Sequence, residues 1–78
     1  MGTIFTASDL MYEDTMTTMA DPEREIRGFV LKTSLGRFRV VRALGAGRYE
    51  STLITGDYQR AKEELALVVY GTTAGVTL

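Results

Sequence analysis

Apolar positions alternate with polar ones only in the middle of this chain, and there the pattern predicts strands. Ile26–Thr33 (IRGFVLKT) and Arg37–Leu44 (RFRVVRAL) are β-rich runs separated by Ser34-Leu35-Gly36, a short break whose glycine marks a hairpin turn. A second break, Gly45-Ala46-Gly47, leads into Arg48–Thr55 (RYESTLIT), which alternates through its first half. Together these runs predict a three-stranded antiparallel meander. From Asp57 to Tyr70 the period changes to that of a helix. Tyr58, Ala61, Leu65, Val68 and Val69 fall on one stripe, Thr55 or Asp57 can cap the start, and Gly71 suits a left-handed stop.

Burial of one sheet face selects a register for the first hairpin. An even-length loop places Phe29, Leu31, Phe38 and Val40 together; an odd-length loop sets each apolar residue across from a cation. The even register is therefore expected. A four-residue second loop then adds Leu53 to that face and sets Tyr49 opposite Arg42. The helical stripe should cover this face, leaving Lys32, Arg37 and Arg39 in water with Val30, Val41, Thr52 and Ile54 among them. By the same alternation Arg42 turns to the core side, and Arg27 and Arg48 are peripheral.

The first twenty-five residues have no single pattern. Ser8–Ala20 reads as a helix capped by Ser8, or as a strand favoured by Thr15, Thr17 and Thr18. Asp21-Pro22-Glu23 reverses the chain before Ile26, as a capped helical turn or a type I turn. The expected organisation is one α+β domain over 1–78. It comprises an acidic segment (1–25), a basic meander (26–55), one C-terminal helix (56–71) and a tail (72–78) that frays or adds a fourth strand.

Charge changes this picture more than composition does. Ile26–Tyr49 holds six cations (Arg27, Lys32, Arg37, Arg39, Arg42, Arg48) and no acid, while the preceding residues hold six acids against Arg24. Net charge is only −1, so near-neutrality hides a polarised chain. Seventy-eight residues are near the lower limit for folding without staples. There is no cysteine, which removes disulfides, zinc thiolates and thiol nucleophiles and suits a cytoplasmic setting; there is no histidine, the commonest general base. No apolar run has the length of a membrane span. Met1-Gly2 through Thr6 fits the loose acylation pattern, but an ordinary N-terminus is the better reading.

Candidate chemistry is sparse. Gly45-Ala46-Gly47-Arg48 lacks the lysine, the hydroxyl and the following helix of a phosphate loop, and reads as a turn. Asp9, Glu13 and Asp14 would share a helical face, which reads as a solvated acidic surface rather than a metal or acid–base site. Ser8, Ser34 and Ser51 have no histidine or evident lysine to activate them. Met11, Met16 and Met19 read as core filler before binding surface. No cofactor, metal or catalytic residue is assigned, and the chain is expected not to be an enzyme.

The stretch RGFVLKTSLGRFRVVRALGAGRYESTLITGDYQRAKEEL resembles, in element order and turn glycines, the AP2/integrase-type DNA-binding fold over about half the chain. It lacks that family's tryptophan and fuller arginine set, so no residue role is carried over. In size and α+β architecture the chain is also similar to phage-encoded inhibitors, including anti-CRISPR proteins. Two functions are expected from the arginine-rich face. The first is a non-catalytic protein-interaction module using Val30, Lys32, Arg37, Arg39, Val41, Thr52 and Ile54 against an acidic or mixed protein surface. A second copy, joined by an edge strand or sheet face, would serve as such a partner. The alternative is nucleic-acid binding through the same face, against which the sequence pI of about 5.3 counts.

Overall fold

Turn chemistry sets the frame. Gly36 is left-handed (φ 75°), its N–H donates to Thr33 O at 3.0 Å, and Thr33 N–H donates to Arg37 O at 2.8 Å. This is a type I turn closed by a glycine bulge, which makes a three-residue loop. At the second break Ala46 (φ 55°) and Gly47 (φ 72°) form a two-residue turn of the mirror-image kind that matches strand twist. In the computed structural model, described for residues 3–73, these turns join β3 (Ile26–Lys32), β4 (Phe38–Gly45) and β5 (Arg48–Thr55).

Two strands of the N-terminal segment complete the sheet, β1 (Thr3–Thr6) and β2 (Asp14–Asp21), with a single helical turn, α1 (Ala7–Leu10), between them. The sheet is antiparallel throughout, in the order β1-β5-β4-β3-β2. It has five strands rather than the expected three or four. Ser8–Ala20 is neither of the two single elements considered for it, since Leu10 ends a helical turn and Asp14 begins a strand. The reversal at Pro22 is as expected: Asp21 Oδ1 accepts from Arg24 N–H and Pro22 O from Glu25 N–H. The extra-strand expectation for the tail lies mostly on residues 74–78, outside the described ones.

The helix α2 (Tyr58–Tyr70) forms as its signals predict. Asp57 caps it through Arg60 N–H, Thr55 Oγ1 accepts from Asp57 N–H, and Gly71 ends it at φ 75°. Ala61, Leu65 and Val69 are fully buried against Val30 and Val40, with Met19, Ile26, Phe38, Leu53 and Tyr58 around them. Ala66 is buried as well.

The even register is overturned. Val30 pairs with Val40, Leu31 with Arg39 and Lys32 with Phe38, so Val30, not Phe29 and Leu31, shares the α2 face with Phe38, Val40 and Leu53. The second loop has two residues plus a bulge, which sets Tyr49 opposite Ala43 and Glu50 opposite Arg42. The physical reason is that both sheet faces are covered. Leu10 packs on Leu31 and Val41 on the face opposite α2, with Phe5, Phe29 and Tyr49 beside them. A strand buried on both sides gains nothing from collecting its apolar residues on one.

That second cover follows from topology. β1 and β2 lie at opposite edges, so the Ala7–Glu13 connection crosses four strand spacings, about 19 Å. With Ala7–Leu10 in a helical turn, the eight steps from Thr6 to Asp14 reach roughly 20 Å. The connection is thus a strap with little slack. Its start is fixed by a capping box, in which Thr6 N–H donates to Asp9 Oδ2 at 2.8 Å and Asp9 N–H to Thr6 Oγ1, and by Ala7 N–H donating to Gly47 O. Those bonds to Thr6 hold the Asp9 carboxyl below its ordinary 3.8.

Candidate protein-interaction surface

The strap ends at Glu13, which reaches β4 and grips Arg39. Nε of Arg39 lies 3.0 Å and 3.3 Å from the two carboxylate oxygens, and Nη2 lies 3.2 Å from Oε2. The guanidinium also lies over the Phe5 ring, 4.5 Å from its centre. The acidic first quarter therefore neutralises part of the basic window within the molecule. Arg42 is likewise absorbed, by Glu50 across the β4–β5 pair at 2.9 Å. It stands on the α2 side with Val40, the core side expected for it, but the bulge at Leu44 sets Glu50 rather than Tyr49 opposite it. Arg27 stacks over Phe29, while Lys32, Arg37 and Arg48 are exposed and in no ion pair among the described residues.

The seven residues expected to share one binding face are split between two. Val30 is fully buried beneath α2, and Lys32 stands on that same side, opposite Phe38. Val41 is buried beneath the strap, 1% exposed, and cannot touch a partner. Thr52 occupies a β5 bulge with its hydroxyl buried and unpartnered among the described residues. Arg37, Arg39 and Ile54 do come together, at the β3–β4 hairpin end of the strap face. There they line a shallow concavity of about 470 Å³ with Glu13, Thr33, Ser34 and Leu35.

Large apolar side chains line this concavity or precede its Glu13 wall in the chain. Leu35 is 85% exposed at the turn tip, Ile54 44%, and Met11 and Tyr12, immediately before Glu13, 66% and 88%. Neither Met11 nor Met16 fills the core as expected; Met19 alone of the three packs against it. Sequence reasoning missed Leu35 and Tyr12, although Leu35 carried a signal. A leucine between Ser34 and Gly36 in a three-residue turn has nowhere to be buried. Beneath the strap lies a smaller concavity of about 190 Å³, lined by Ala7, Leu10, Phe29, Leu31, Val41 and Tyr49 with Glu13 and Thr15.

The carboxylates weighed as a metal or acid–base group separate: Asp9 caps α1, Glu13 holds Arg39, and Asp14 begins β2. Among the described residues no three potential metal ligands gather, and no helix is long and apolar enough to cross a membrane. The 45–48 glycine turn joins two strands, with the Gly47 carbonyl spent on α1. Neither a known family model, nor a curated protein, nor a solved structure matches this chain.

Proposed function

We propose that this chain is a non-catalytic protein-binding module that engages its partner through the hairpin end of the strap face. Leu35, Ile54 and Tyr12 serve as apolar anchors, and Arg37 selects a partner surface whose carboxylates border an apolar centre. The observation that carries this reading is the grouping of Leu35, Ile54 and Arg37 around one concavity whose wall is fixed by the Glu13–Arg39 pair, with exposed Tyr12 next to Glu13 in the chain. Aromatic, aliphatic and arginine side chains on a rigid support are the composition of interface centres. The phage-type inhibitor reading belongs to the same class, occupancy of a partner's surface without chemistry. Nucleic-acid binding is less well supported, because Arg39 and Arg42 are already paired and Lys32 stands on the other face.

The test is affinity capture from host lysate, with and without nuclease, using the native chain and three variants. A partner retained after nuclease, lost with Leu35→Asp and with Arg37→Glu, and kept with Arg24→Glu at the opposite end of the sheet supports the proposal. Capture that disappears with nuclease, together with duplex binding that falls steeply above about 50 mM salt, replaces it with the nucleic-acid reading.

A further inference from the structure

The eight-residue strand β2 is one edge of the sheet, and an edge of that length is a template for pairing with another chain. Its free groups can be identified. Thr33 N–H donates to Arg37 O, so Thr33 faces β4. Alternation along an antiparallel ladder then turns Leu31, Phe29 and Arg27 toward β4 and Lys32, Val30, Gly28 and Ile26 toward β2. Across from these, Thr17, Met19 and Asp21 exchange bonds with β3. Thr18 and Ala20 point their N–H and C=O groups outward, and Met16 is the extra residue of a bulge.

Two of the edge carbonyls are taken by the helix. Tyr70 Oη–H donates to Ala20 O at 3.0 Å, and Tyr58 Oη–H to Met16 O at 3.4 Å, while Thr17 Oγ1 hydrogen-bonds the same Tyr58 oxygen. The two tyrosines stand at opposite ends of α2, so they hold the edge near both its ends. We propose that Tyr58 and Tyr70 guard the β2 edge, and that without their hydroxyls this edge pairs antiparallel with β2 of a second copy of the chain. The β2 bulge adds to the guard by bending the strand where Met16 would have to align. Met16 itself is 43% exposed and would be covered in such a pair.

The test compares the native chain with the double variant Tyr58→Phe, Tyr70→Phe by sedimentation velocity over a concentration series, with circular dichroism confirming the fold. Phenylalanine keeps the ring contacts, including that of Tyr58 with Phe38 at 5.0 Å between centres, and removes only the hydroxyls. The expected result is self-association at least about tenfold tighter than native, reversed by adding Thr18→Pro. Proline there removes an outward N–H and no ladder bond. A folded double variant that sediments like the native chain overturns the proposal, as does association that Thr18→Pro leaves intact. A native chain already dimeric through β2 overturns it too. Should the double variant not fold, Tyr70→Phe alone, at a 42% exposed ring, must show a smaller increase in the same direction, and its absence counts against the guard.

Discussion

Glu13 and Arg39, twenty-six residues apart, form a two-pronged ion pair in which each side chain is only 14% exposed. The pair closes the end of the strap, which runs from one edge strand of the sheet to the other. Removing one partner strands the other in a poorly solvated position. Glu13→Gln or Arg39→Met should each cost about 2 kcal/mol in chemical denaturation, the fully buried figure being discounted for the remaining exposure. The apolar pair Glu13→Leu, Arg39→Met should recover most of that loss. Unchanged midpoints in both single variants would show that the pair does not hold the strap.

Gly28 lets α2 pack close against the sheet. A Cβ at this position would lie 2.5 Å from Leu65 Cδ1 and 2.8 Å from the Val41 carbonyl oxygen. Gly28→Ala should destabilise by about 1–3 kcal/mol, the usual cost of overfilling a packed core. Shortening Leu65 should not rescue it fully, because the Val41 oxygen belongs to the ladder and cannot withdraw. A thermal melt of Gly28→Ala, alone and with Leu65→Val, checks both statements.

Ala46 sits at φ 55° in a turn whose favoured first residue is asparagine or another residue tolerant of that conformation. Ala46→Asn should therefore stabilise the protein by about 0.5–1 kcal/mol. The gain would appear as a higher denaturation midpoint at an unchanged slope. A loss of stability would mean that Ala46 makes a contact outweighing its backbone strain.

The strap should loosen in acid. Asp9 has its folded pKa depressed, first by the Thr6 backbone bond and then by the Thr6 hydroxyl. A depressed carboxyl contributes stability above its ordinary value of 3.8 and loses it as pH falls through the lower folded value. The Leu10 methyl resonances should accordingly shift as pH falls below about 4, and the shift should be absent in Asp9→Asn. Leu10 signals insensitive to acid in the native chain would contradict the capping role.

The local signals in this sequence were dependable. Thr55, Asp57 and Gly71 gave the ends of α2, the glycines at 36 and 45–47 gave both turns, and Pro22 gave the reversal before Ile26. Ser34-Leu35-Gly36 even carried the register, since a three-residue loop with a terminal glycine is an odd-length loop. The apolar-face argument chose against it. Part of the candidate surface's geometry was legible too: Arg37, Arg39 and Ile54 share one concavity, whereas Val30 and Val41 are buried on opposite sides.

What the sequence determined by itself is therefore the meander, the helix and the polarised charge, all properties of residues close along the chain. Tertiary structure alone decided which side of each strand meets which partner. β1 and β2 join from outside the meander, and their strap covers the face that alternation assigned to water. Once both faces are covered, apolar and charged residues can lie opposite one another, because Glu13 from a remote segment neutralises Arg39 where burial would otherwise be costly. The six cations of the acid-free window thus separate into pairs and exposed singles, and Arg37 beside Leu35 and Ile54 is what remains on the candidate surface.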